Sequence, residues 1–203
     1  MVTLGIIGVV SAMTVPTLMQ NYQKRSYVVQ LHKVYNELSQ ALTQFQTDKN
    51  ALNLREAGLN SQAAIDSFIK SYFKIIQECD TMDECFASEY KKMNGSVLGG
   101  YDRAQKSVVL TSGASMRLLY TASGNRVIQI GVDINGQKGP NVQGRDLFWL
   151  YVYNNSLIDD TSDDAPLTKD EREALFQSEC QSSGGGGGGC FGKILNDNWE
   201  MTY

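Results

Sequence analysis

At 203 residues the chain has room for one domain with a real core, or for a small domain plus an appendage. A formal charge of −4 excludes the broad basic surface that would point to nucleic acid. With 42% apolar and 20% charged residues, the composition is that of a folded protein and excludes a disordered one.

The first element carries no charge from Val2 to Met19; its polar members are Thr3, Ser11, Thr14 and Thr17. Small hydroxyls bond back to helix carbonyls, so lipid tolerates them. Eighteen helical residues span roughly 27 Å, close to the hydrocarbon thickness of a bilayer. A soluble core helix leaves the lack of any polar face unexplained. A cleaved signal would need a basic leader, and no lysine or arginine precedes the run. The expectation is a retained membrane helix.

Beyond Tyr22 the period changes. Val28, Leu31, Val34, Tyr35, Leu38, Ala41, Leu42 and Phe45 recur at three- and four-residue steps, with Gln30, Lys33, Glu37, Gln40 and Gln44 on the other side. The simplest structure is one helix from about Leu4 to Gln46, apolar all round at first and packed on a globular body later. Pro16 removes one hydrogen bond and is expected to kink it, not end it.

The stretch "TLGIIGVVSAMTVPTLMQNYQKRSYVVQLHKVYNELSQAL" resembles the N-terminal assembly helix of type IV pilins and type II secretion pseudopilins. The match covers roughly the first 45 residues well and the remainder loosely. It implies an α+β, type IV pilin-like fold, with a long N-terminal helix packed on an antiparallel β-sheet. Residues 1–23 would be the membrane and filament-core helix, and 24–203 the head. Leu4, Ile6, Ile7, Val9, Val10, Met13, Val15, Pro16 and Leu18 would pack in membrane and filament. Val28, Leu31, Val34, Tyr35, Leu38, Leu42 and Phe45 would pack helix on sheet.

The family's basic leader, its cleaved glycine, the phenylalanine that becomes N-methylated and the early glutamate are not in this sequence. Lys24 and Arg25 follow the span and alone would favour a cytoplasmic body. A missing leader resolves that conflict with the cysteine usage below. The expectation is therefore an N-terminal truncation or a misassigned start, with the precursor a substrate of the prepilin peptidase.

Residues Asn60 to Gln77 read as a second helix, capped by Asn60 or Ser61, with Ile65, Phe68, Ile69, Tyr72, Phe73 and Ile76 as its apolar face. The four cysteines form two local pairs in "CDTMDEC" and "CQSSGGGGGGC". Of three connectivities, Cys79–Cys85 with Cys180–Cys190 closes the smallest loops; free buried thiols and metal ligation are the alternatives. Neither pair has the two-residue spacing of zinc or redox sites. Disulfides would put the body outside the cytoplasm.

From Ser107 the period shortens towards two. "SVVLTSG", "ASMRLLYTASGN", "RVIQIGVDING" and "DLFWLYVYNN" predict an antiparallel meander of about four strands, one face on the first helix. In "VDINGQKGPNVQGRDLF", Asp133 and Asn135 before Gly136 are weak calcium candidates, weighed against a wide turn. Asp159, Asp160, Asp163 and Asp164 are a second weak set, read first as a solvated acidic loop; some pseudopilins hold calcium in their C-terminal loops. No other cofactor is expected. Thr168 with Glu171 makes a capping box for a helix to about Phe176. The Gly184–Gly189 run reads as a constrained surface loop; in the family this disulfide-bounded region is exposed on the filament. "FGKILNDNWEMTY" is expected to return as a last strand, with Trp199 and Tyr203 part-buried.

The lone histidine, His32, is accompanied by no serine elbow and no phosphate loop, so no enzyme is expected. The expected function is a structural pilin or pseudopilin subunit, held in the bacterial inner membrane with an extracytoplasmic head. It would polymerise with itself or with other pilin-like chains in a periplasmic or cell-surface filament. A membrane-tethered binding or adhesion domain that never polymerises is the alternative, and a secreted hydrolase a distant third.

Overall fold

The computed structural model describes residues 2–182 and 186–203, and for residues 2–15 and 17 the backbone alone. A single helix, α1 (Val2–Lys49), runs through Pro16 and includes the whole amphipathic stripe. It ends as a left-handed Asn50 turns the chain back. Asn50 N–H donates to the Thr47 carbonyl and Ala51 N–H to that of Gln46, so two otherwise orphaned carbonyls are satisfied. Val28, Leu31, Val34, Leu38, Ala41, Leu42 and Phe45 are all buried, and Tyr35 is half-buried, as the spacing predicts.

The second helix, α2 (Gln62–Tyr72), starts where the Ser61 hydroxyl accepts the Ala64 N–H at 3.3 Å. It stops five residues before the predicted end, because Phe73 is extended and Ile75–Cys79 forms a strand, β1. The β-branched pair Ile75-Ile76 suits that pleat, and β1 hydrogen-bonds antiparallel to β2 (Ser107–Leu110). Ile76, expected on the helix's buried face, is 64% exposed on this edge strand. A one-turn helix, α3 (Met82–Cys85), follows, with Cys79 bonded to Cys85 across it.

The sheet is a six-stranded antiparallel meander in the order β1 to β6. It contains β3 (Ser115–Ser123), β4 (Arg126–Asp133), β5 (Leu147–Tyr153) and β6 (Ile158–Asp159). Four strands match the predicted runs; β1 and β6 are additional. Alternation divides the sheet's faces. Ile128, Ile130, Val132, Phe148, Leu150 and Val152 join the stripe of α1 and the inner face of α2 in one core. Leu147, Trp149, Tyr151 and Tyr153 turn the other way, into a second core with Met82, Phe86, Tyr90 and Leu98. All seven residues of β5 are therefore buried, and the sheet is covered on both faces.

The C-terminal region departs from expectation. After the capping box at Thr168, α4 (Lys169–Leu175) widens into a π-turn at Phe176–Cys180, and Cys180 bonds Cys190. Cys190–Asn196 is then a helix, α5, not a returning strand. Its buried Phe191 and Ile194 lie three residues apart, the step of a helix face. Trp199 and Tyr203 are half-buried as predicted. The end of the glycine run is buried too. At Gly189, φ is +83°, and a β-carbon would collide with the Leu175 carbonyl. A Gly187 β-carbon would lie 2.6 Å from Trp149 Nε1. The expected surface loop is thus packed tightly against its neighbours over 187–189; residues 183–185 lie outside the described part.

Candidate functional site

Val28 is the first member of the buried stripe, so α1 leaves the head just before it. Ahead of the half-buried Lys24, Ser26 and Tyr27 the helix is bare: Leu18 is 65%, Met19 59% and Tyr22 75% exposed, and Pro16 is exposed too, while Val29 higher up is 68% exposed. At 100° per residue, Leu18, Tyr22 and Val29 fall within about 40° of one another, and Leu31, Leu38 and Phe45 lie roughly opposite. One helix thus presents one apolar face to its own sheet and a second, unpartnered one away from it. Arg25, exposed on the same face, separates Val29 from the apolar cluster of Leu18, Met19 and Tyr22. An exposed apolar cluster of this kind marks a contact surface. Of the predicted membrane and filament-packing residues, Pro16 and Leu18 are on this exposed segment. Leu4, Ile6, Ile7, Val9, Val10, Met13 and Val15 lie outside the described side chains. Among the described residues no helix is long and apolar enough to cross a membrane.

The second place of interest is the turn from β4 to β5. Asp133 is fully buried; its carboxylate accepts the Tyr90 hydroxyl and, at 3.2 Å, the Asn135 N–H. Asp146, also fully buried, accepts the N–H groups of Asn141 and Val142, both at 2.7 Å. Burial raises both carboxyls, Asp133 to about 7 with the Asp146 charge adding to it against the Tyr90 hydrogen bond. The side-chain oxygens of Asn135 and Asn141 are shielded from solvent and have no hydrogen-bond partner. Carboxylate and amide oxygens are the donor set that calcium takes. Asp146 and Asn141 were missed in the sequence, although the spacing from Asp133 through Asn135 and Asn141 places them in the same loop.

The four aspartates at 159–164 do not converge. Asp159 holds Arg172 bidentately, at 2.8 Å from Nε and 2.6 Å from the terminal nitrogen. Asp160 is fully buried and accepts the Gly189 and Gly192 N–H groups, each at 2.7 Å, at the start of α5. Burial pushes its carboxyl up, against the pull of these backbone donors. Only Asp163 and Asp164 are solvated, and they accept from Ser123 and Asn125 at 2.8 and 3.1 Å. The solvated-loop reading is therefore corrected for Asp159 and Asp160, which are structural pins. Among the described residues no three His, Cys, Asp or Glu side chains are grouped to hold a metal.

Sequence reasoning also missed Arg117. It is buried in the second core, stacked 4.8 Å over Trp149 and donating to Gln129 at 3.0 Å. Its position inside "ASMRLLY" carried no sign that the outer face of the sheet would be covered.

Comparison with family models, with curated proteins and with solved structures finds no match.

Proposed function

We propose that this chain is a structural, non-catalytic subunit of a helical filament of the type IV pilus or type II secretion kind. Its N-terminal helix is anchored in the inner membrane before assembly, and its head is extracytoplasmic. The observation that carries the reading is the division of α1. Its C-terminal half is built into the core, while Leu18, Met19 and Tyr22, just ahead of that half, are exposed apolar side chains. A helix uncharged over residues 2–19 leaves lipid only for other apolar surface, and copies of itself supply that surface. Stacking by one repeated rotation and rise makes the contact heterologous and the assembly open-ended. The two disulfides suit an oxidising compartment.

The test is oxidative cross-linking in cells of chains carrying cysteines at Val9 and Val15. A filament subunit gives ladders of covalent multimers. Monomers alone, under conditions where the protein is expressed and membrane-bound, overturn the polymer and leave a tethered binding domain.

A further inference from the structure

Two clefts flank α1 where it enters the head, of about 480 and 630 Å³, and Lys24 lines both. Arg145, from the loop before β5, lines the larger one beside Gln20, Gln23 and Tyr27. Arg145 is held in place by donating to the Tyr203 carbonyl at 3.0 Å and the Met201 sulfur at 3.2 Å. Among the described residues no carboxylate lies within ion-pair distance of either cation. Partial burial and the Arg145 charge lower the Lys24 ammonium from its ordinary value, so the two charges feel each other without a neutralising partner. Burial and the nearby Asp146 raise the Tyr27 phenol, which keeps it a proton donor. One cleft thus gathers two cations, two amides and a hydroxyl, in a chain whose net charge is −4.

We propose that this cleft is a binding site for the phosphate of an anionic phospholipid headgroup. The assignment rests on the membrane placement proposed above. Lys24 follows Met19, the last residue of the apolar run, by five positions, about 7.5 Å along the helix. The headgroup layer is roughly 5–8 Å deep on each side of the hydrocarbon, so a helix that fills the core with residues 2–19 sets Lys24 at phosphate level. An acidic head would otherwise be repelled by an anionic surface; cations at its base turn that repulsion into seating.

The experiment uses the full chain in detergent micelles doped with phosphatidylglycerol and phosphatidylcholine, with retained lipids counted by native mass spectrometry. Flotation with pure phosphatidylcholine vesicles runs in parallel. The native chain is expected to retain phosphatidylglycerol preferentially. Lys24→Gln and Arg145→Gln should each lower that preference about fivefold, and added salt should weaken it. Lys33→Gln, more than two turns further along α1, should leave it unchanged. Lys24→Gln carries the test alone if Arg145→Gln loosens the C-terminal tail. Equal retention of the two lipids by a chain that floats overturns the headgroup site and leaves the membrane helix standing. A chain that does not float overturns the membrane placement and the site with it. A rise in melting temperature with inorganic phosphate equal to that with phosphatidylglycerol makes it a free-phosphate site, and the lipid assignment falls.

Discussion

Two buried carboxylates do opposite work in the head. Asp160 satisfies donors that α5 cannot satisfy itself, since the first N–H groups of a helix have no partner within it. Asp160→Ala strands the Gly189 and Gly192 N–H groups in a buried site, and each costs about 1–3 kcal/mol. We expect chemical denaturation to show a loss of about 3 kcal/mol, with Asp160→Asn intermediate because one acceptor oxygen survives. A loss below about 1 kcal/mol would mean that α5 is pinned elsewhere. Asp133 is a cost, not a pin. Its carboxyl is raised from 3.8 to about 7, so the folded state keeps a proton that the unfolded chain releases. That stability is fully present below pH 4 and is lost as pH rises towards 7, about 4 kcal/mol if the shift is intact. Thermal unfolding in chelator should therefore show a melting temperature that falls between pH 4 and pH 7. Asp133→Asn should flatten this slope. Calcium seated on the loop oxygens would restore the lost stability at pH 8 in the native chain but not in Asp133→Asn. A native profile as flat as the variant's refutes the buried charge.

At the scale of elements, α1 divides into a buried stretch from Val28 and an exposed one before it. Leu38→Ala opens a cavity in a fully buried position and should cost about 2–5 kcal/mol on unfolding. Leu18→Gln touches nothing in the head; its stability should stay within about 0.5 kcal/mol of native, while the cross-linked ladder shortens. Ladders unchanged by Leu18→Gln would remove the outward face from the assembly contact. The amphipathic half of the long helix was legible through its 3.6-residue period. The four central strands were legible through β-branched and aromatic runs divided by turn residues, even though the sheet is buried on both faces. What escaped was decided by partners distant in sequence. Ile75 and Ile76 continue the helical pattern of Phe68 and Tyr72, and only the pairing of β1 with Val108–Leu110 makes them a strand. Phe191 and Ile194, three residues apart, share a helix face and not a strand face, but two positions are too few to fix the period. The Asp160 carboxylate, some thirty residues upstream, accepts the N–H groups at the start of the helix. The aspartate cluster resembled solvent-facing loop because sequence shows charge but not the guanidinium or amide that meets it. In the β4–β5 turn, Asp133 and Asn135 were visible through their spacing to Gly136, whereas Asp146 was hidden at the start of an apolar strand.

For the whole molecule, the layers differ in how they are held. The α1 side of the sheet is a continuous apolar core, joined by residues from α1, α2 and five strands. The opposite side is assembled from short segments, a buried arginine and the Cys79–Cys85 disulfide. The Cys180–Cys190 disulfide and the buried Phe191 and Ile194 of α5 belong to the α1 side. The Cys180–Cys190 bridge closes a loop of ten residues in separation, and loop-closure entropy gives it about 2.7 kcal/mol. The segments it joins sit at the C-terminal margin of the α1-side core, so replacing both cysteines by serine should loosen them before the helix and central strands. Amide hydrogen exchange should then show α4, the π-turn and α5 losing protection by about a hundredfold, the rate equivalent of that free energy at 1.4 kcal/mol per decade. Amides of β3, β4 and β5 should exchange only through global unfolding, as in the native chain. Loss of protection spread evenly over α1, the central strands and α5 would mean that the C-terminal segments and the rest of this core fold as one cooperative unit, with the bridge serving the whole head.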